Sequence, residues 1–214
     1  MEDMVGRTPE FDREDVLDRA LLLFWQKGFH ATSIRDLVDV TGLGKASIYN
    51  AFGNKEQFFK TVLDRYAMQS EQAQLQRLDA VTPASEAIRI YFEDLIRFSV
   101  TIGPRLGCLY TNTAVELAPR LEKMENYLKG QFEKTEERLA TTIRRGHDDG
   151  SIPTSVVPET TANILLNVAF GIRVQARLGS SEEKLRGIVE GSMAALLFYP
   201  YRSNLAHQSE ARSA

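Results

Sequence analysis

One cysteine in 214 residues cannot close an internal disulfide, which suits a reducing cytoplasm. The three histidines, His30, His147 and His207, fall in separate segments without metal-ligand spacing. Neither a phosphate loop nor a nucleophile motif is present, so no catalytic residue, metal or cofactor is expected. No apolar run approaches the roughly 18 residues that cross a membrane. The first twenty residues are acidic and polar, unlike a secretory leader. Net charge is only −3, so no bulk positive field exists to attract nucleic acid, and charge has to be read locally. Strand-like alternation, internal repeats and low-complexity tracts are missing too.

What remains is helical periodicity in a chain that is 43% hydrophobic. Residues 1–10 read as a flexible arm. A first helix over about 12–27 carries Leu17, Leu21 and Phe24 on one stripe, with Gly28 placed as a left-handed stop. Ser33 and Asp36 are spaced as a capping box for a short second helix to Thr41. Thr41-Gly42-Leu43-Gly44 reads as a tight turn before a third helix from Lys45 to Phe52. Asn54 and Gln57 repeat the capping-box spacing ahead of a long fourth helix, about 55–79. A fifth starts at Thr82-Pro83 and runs to about Thr101, and the glycines and proline of 102–107 break the chain. A short sixth helix covers Cys108 to Leu117, and Pro119 opens a seventh to about Arg145. After a loop at 146–158 come an eighth helix, about 159–178, and a ninth, capped by Ser180 and ending near Tyr199.

Two short helices joined by a glycine-containing turn form the helix-turn-helix pattern. In the second of them Ile48 and Phe52, one turn apart, supply a buried face. Lys45, Ala46, Ser47, Tyr49 and Asn50 then point outward. Small side chains allow close approach to a groove, Lys45 and Tyr49 can reach phosphates, and Asn50 can pair with an adenine edge. Lys55 stands in the first turn of the fourth helix, where free amides also favour a phosphate. Between Lys27 and Lys55 four basic residues (Lys27, Arg35, Lys45, Lys55) face two acidic ones (Asp36, Asp39). A helical hairpin inside an all-α domain would share this composition.

The order of residues goes further. ALLLFWQKGFHATSIRDLVDVTGLGKASIYNAFGNKEQFF resembles the N-terminal domain of the TetR/AcrR family of transcriptional regulators over about residues 13–65. Gly28-Phe29, Thr32-Ser33-Ile34, Gly42, Ile48-Tyr49, Phe52 and Lys55 fall at the family's spacing. One departure is Ala51, where many members carry a phosphate-touching histidine. The resemblance implies DNA contacts from Ser33, Lys45, Ala46, Ser47, Tyr49, Asn50 and Lys55. Gly6-Arg7 resembles family arms that reach the minor groove.

The expected fold is all-α, with about nine helices. A three-helix helix-turn-helix DNA-binding domain occupies 1–54, a helical ligand-binding and dimerisation domain 55–200, and a disordered tail 201–214. The resemblance implies a homodimer through helices 8 and 9. Ala162, Leu165, Leu166, Ala169 and Ile172 on the former, with Ile188, Gly191, Ser192, Ala195 and Leu196 on the latter, fit that face or an internal core. It also implies an effector site among helices 4 to 8. Phe92, Ile96, Phe98, Cys108, Tyr110, Tyr127 and Phe170 are candidate lining, though aromatics at helical spacing also make plain core. Asn112 and Glu116 are expected to bond locally.

Together these imply a ligand-responsive cytoplasmic repressor. It would bind a double-stranded, pseudo-palindromic operator and be released by a small-molecule effector, without membrane association. Two alternatives accompany it. One is a thiol switch at Cys108, activated by the helix start and by Arg105 and needing a loosely covered thiol; a buried structural thiol is the competing role. The other is a small-molecule binding protein that reads no operator.

Overall fold

The structure, a computed structural model, describes residues 11–101 and 106–198. The Gly6-Arg7 arm, Arg105, Tyr199 and the tail beyond it lie outside the described residues. All regular structure among the described residues is helical. Ten α-helices follow in order: α1 (Arg13–Lys27), α2 (Ile34–Thr41), α3 (Lys45–Phe52), α4 (Lys55–Tyr66), α5 (Gln72–Ala80), α6 (Ala84–Thr101), α7 (Leu109–Leu117), α8 (Glu122–Asp148), α9 (Pro158–Arg177) and α10 (Glu182–Met193). None is long and apolar enough to cross a membrane.

Ten stand where nine are expected because the fourth helix is interrupted. A π-helical turn over Ala67–Glu71 separates α4 from α5. That stretch is AMQSE, whose one large apolar side chain, Met68, is exposed, so little packing holds the α register there. A second π turn, Ala194–Phe198, follows α10. Other boundaries shift modestly. The chain turns at 118–121, where Arg120 and Leu121 amides donate to the Leu117 carbonyl, and α8 starts only at Glu122. It then runs to Asp148, past the expected loop start. Ser181 rather than Ser180 caps α10, accepting from the Lys184 amide, while the Ser180 hydroxyl donates to Gln175.

The chain divides into two compact units. One comprises Met1–Ala73 with Leu106–Lys129, the other Gln74–Arg105 with Gly130–Ala214. In the first, α1 lays Leu17, Ala20, Leu21 and Phe24 against Phe58, Phe59, Val62 and Leu63 of α4. Phe24 and Phe59 rings meet at 4.7 Å. Arg65 fixes the pair by a fork to Asp18 (2.9 and 3.1 Å) and a further bond to Glu14. This pairing holds the Asp18 carboxyl below its ordinary pKa, chiefly through Arg65.

The second unit has one continuous apolar core, with Phe92, Ile96, Leu139, Ile143, Leu165, Leu166 and Leu185 among its members. Asp94, nearly buried, is held between Arg77 (2.6 Å) and Arg97. The α9 residues considered for a dimer face, Ala162, Leu165, Leu166, Ala169 and Ile172, all belong to this core. The densest apolar stripe of α9 therefore serves its own chain. Its exposed stripe is Val157, Ile164, Gly171, Val174 and Leu178, with Leu178 75% exposed. Of the other five residues, Ile188 and Leu196 pack against the same core and Ser192 is half-buried, while Gly191 on α10 and Ala195 in the π turn after it are exposed.

Candidate nucleic-acid interface

The head is built from short helices, and each is started by a specific cap. Ser33 Oγ accepts from the Asp36 amide (3.1 Å) while the Asp36 carboxylate accepts from the Ser33 amide (2.7 Å), the expected box. Asp36 also accepts a hydrogen bond from the Ser33 hydroxyl and pairs with Lys27 at 3.0 Å. Its carboxyl is held well below the usual range, first by the Ser33 amide, then by the hydroxyl and Lys27. The Ser33 hydroxyl is exposed, yet its proton is committed to Asp36. Asn54 and Gln57 form the second box, both bonds at 2.9 Å, and start α4.

The turn between α2 and α3 has equally local causes. Thr41 Oγ donates to the Leu37 carbonyl (2.6 Å) and accepts from the Leu43 amide (3.3 Å). Gly42 takes the left-handed conformation, φ 71° and ψ 4°. Gly28 departs from expectation: its φ of 82° is joined to ψ 170°, an extended combination almost confined to glycine, rather than left-handed helix.

α3 begins at Gly44 without a side-chain cap. Ile48 and Phe52 are buried, Phe52 stacking on Phe58 at 4.1 Å. Lys45, Ala46, Ser47, Tyr49 and Asn50 are all exposed. Tyr49 keeps 41% of its surface in solvent, with Lys45 Nζ 6.0 Å from its ring centre. The outward face read from the sequence is thus assembled on one helix. Lys55 is different, being half-buried with Nζ 4.3 Å over the Phe29 ring. Burial lowers its pKa, and the charges of Glu116 and Asp36 oppose that shift.

Arg13 has no role in the sequence reading, and Glu116 has a different one. Arg13 donates to the Ala51 carbonyl (3.2 Å) and stacks on Phe52. Glu116 of α7 corrects the expectation of a local bond. Its carboxylate accepts from the amides of Phe29 (3.0 Å) and His30 (2.7 Å), 86–87 residues away. A Cβ at Gly28 would sit 2.8 Å from that carboxylate, so Gly28 also makes its room. No local pattern announces such a long-range clasp. Asn112 does bond nearby, to the Leu106 carbonyl at 2.9 Å.

The candidate ligand residues divide between the units. Cys108, Tyr110 and Tyr127 lie in the first. Tyr110 hydroxyl donates to the Leu63 carbonyl (3.2 Å), and Tyr127 hydroxyl to Asp64 (2.8 Å). Cys108 is 2% exposed with Sγ 3.6 Å from the Tyr66 hydroxyl. The thiol-switch alternative needs access, and the packing instead encloses this sulfur. Phe92 and Ile96 lie in the second unit's core, where Phe170 packs on Phe132 at 4.8 Å. Phe98 is half-buried on α6. A crevice of 270 Å³ opens between α6 and α10, floored by Ile96, Val189 and Met193.

Residues 16–62 match the profile of "Bacterial regulatory proteins, tetR family", and 84–191 that of "Tetracyclin repressor-like, C-terminal domain". The chain belongs to the tetR family. It is a helix-turn-helix transcriptional regulator. It is 33% identical over 184 residues to the HTH-type transcriptional repressor ComR of Escherichia coli K12, covering 86% of this chain and 88% of that protein. The repressor DhaR of Mycobacterium sp. GP1 is 26% identical, over 96% of this chain and all of the other. Among solved structures, a cysteine mutant of CifR complexed with 26bp double-strand operator DNA superposes with a TM-score of 0.82 at 27% identity. That match covers 89% of this tetR-family chain and 100% of CifR.

Proposed function

We propose that this regulator is a cytoplasmic repressor that binds a pseudo-palindromic operator as a homodimer and leaves it when a small-molecule effector binds the C-terminal domain. The observation that carries the reading is the exposed face of α3: Lys45, Ala46, Ser47, Tyr49 and Asn50 opposite buried Ile48 and Phe52. That division of one eight-residue helix is what major-groove insertion demands. One head covers a half-site, so two are needed at about 34–36 Å. The exposed stripes of α9 and α10 offer a self-complementary surface for pairing. ComR and DhaR are named repressors, and CifR is seen on operator DNA, which supports the same role here.

In this reading Lys45 and Tyr49 hold phosphates, Asn50 reads a base edge, and Ala46 and Ser47 permit close approach. Ser33 donates to a phosphate only after its hydroxyl leaves the Asp36 carboxylate, whereas Lys55 keeps its N–H donors while seated over the Phe29 ring. Effector lining is assigned to Phe92, Ile96 and Phe170 of the second unit; Cys108, Tyr110 and Tyr127, also candidates, belong to the first. The test is selection of duplexes from a random pool, followed by affinity measurements with Asn50→Ala. Loss of about 1–3 kcal/mol of base discrimination is expected. Unchanged binding of the selected site by Asn50→Ala removes Asn50 from the interface, and failure to select any duplex removes the function.

A further inference from the structure

The carbonyl end of α3 poses an electrostatic problem for a DNA-reading helix. Its terminal carbonyls are the negative pole of the helix dipole, and they adjoin Asn50 on the exposed face. A phosphate approaching there is repelled unless a cation covers the end. Arg13 covers it, donating to the Ala51 carbonyl at 3.2 Å with its guanidinium 4.5 Å from the Phe52 ring centre. Phe11 packs on the same ring at 6.3 Å. We infer that Arg13 is a DNA-phosphate-binding residue, pinned at the carbonyl end of the reading helix. The inference rests on the DNA-binding function proposed above.

A purely structural cap has a different appearance, and Arg145 in the second unit provides it. Arg145 is half-buried and donates to the carbonyls of Leu78 (2.7 Å), Val81 (2.9 Å) and Asp79. Both terminal nitrogens of its guanidinium are taken up by the α5 terminus and the residue after it. Arg13 is exposed and, among the described residues, makes a single hydrogen bond of the five its guanidinium can donate. It has no carboxylate partner among those residues.

The acidic side chains beside it are committed elsewhere. Asp12 caps α1 by accepting from the Glu14 and Asp15 amides. Glu14 pairs with Arg65 (3.1 Å) and Asp15 with Arg19 (2.8 Å). Arg13 is thus a positive charge held in a fixed place by a carbonyl and an aromatic face, which lowers the entropy lost on gripping a phosphate. Ala51 contributes only a methyl group beside it, leaving the guanidinium uncovered.

The experiment measures binding of the duplex selected by the wild-type protein, by fluorescence anisotropy between 50 and 200 mM salt. Arg13→Gln removes the charge while keeping a donor for the Ala51 carbonyl, and Arg13→Lys keeps the charge. The Gln variant is expected to flatten the slope of log affinity against log salt by about 0.9 per protomer. A fourfold rise in salt then weakens it about 3.5-fold less per protomer than it weakens wild type. Arg13→Lys is expected to retain the wild-type slope. Helical circular dichroism of both variants is checked first; if Gln disturbs the fold, Arg13→Met supplies the neutral arm. A neutral variant with the wild-type slope overturns the inference and leaves Arg13 a structural pin. Lys45→Ala is the control. If it flattens the slope and Arg13→Gln does not, only Arg13's role fails. If wild type binds no duplex in a salt-dependent way, the DNA-binding function fails, and this inference with it.

Discussion

In the head, eight-residue helices α2 and α3 are too short to be stable on their own, and local polar devices hold them. Ser33 with Asp36, Asn54 with Gln57, and the Thr41 hydroxyl each satisfy backbone groups within four residues. In the second unit, helices of 18 and 20 residues, α6 and α9, are joined by a continuous apolar core. Local chemistry sets orientation where a few side chains must face a groove. Bulk burial suffices where helices need only enclose an interior and present an outer face. The contrast predicts that damage to the second unit's surface alters assembly, whereas damage to the head alters shape and reading.

The largest effect expected is on assembly. Gly191 is exposed, and nothing lies within 4 Å of a Cβ built there. Gly191→Glu should therefore keep the wild-type helical circular dichroism while sedimenting as a monomer, with cooperative binding to a palindrome lost. A dimer persisting in that variant moves the interface off α10. Next is the head's own core. Phe59 is 1% exposed between α1 and α4, and Phe59→Ala should cost about 3–5 kcal/mol in denaturant unfolding and abolish DNA binding. Retained operator affinity would show the head to be less dependent on packing than its aromatic cluster implies.

A smaller effect is expected at Glu116, where two charge-assisted bonds tie α7 to the turn before α2. Glu116→Ala should destabilise by about 2 kcal/mol, and the Phe29 and His30 amides should exchange with solvent more than tenfold faster. Unaltered exchange at those two amides would deny the clasp in solution.

The smallest effect belongs to a cap. Ser33→Ala should cost about 1 kcal/mol. In wild type the Asp36 pKa lies below its ordinary value, so its stabilising effect is complete above about pH 4 and disappears as pH falls through the lowered folded value. A carboxyl titration followed by NMR should place Asp36 higher in Ser33→Ala than in wild type. Equal values would mean that the Ser33 hydroxyl, as distinct from its amide, does not help to lower it.

Much of the head was legible because its determinants are near neighbours in sequence. Both capping boxes, the Gly42 turn and the split of α3 into buried Ile48 and Phe52 against exposed Lys45 to Asn50 follow from spacing alone. The divided fourth helix was less so. Its period persists on paper, and the exposure of Met68 leaves little to hold the register there. The face of α9 was likewise ambiguous, since an apolar stripe does not declare whether it meets its own chain or another.

By itself, then, the sequence determined helical class, element order, caps and the outward residues of α3, all governed by backbone preferences and side chains within one or two turns. Tertiary structure alone decided that Lys55 lies on Phe29, that Arg13 covers the end of α3, that Cys108 is enclosed, and that Glu116 grips the amides of Phe29 and His30. Most of these contacts join residues 26 to 87 positions apart. Their partners are chosen by how helices pack in space, and a side chain's type fixes what it can bond to but not which distant backbone group will arrive beside it.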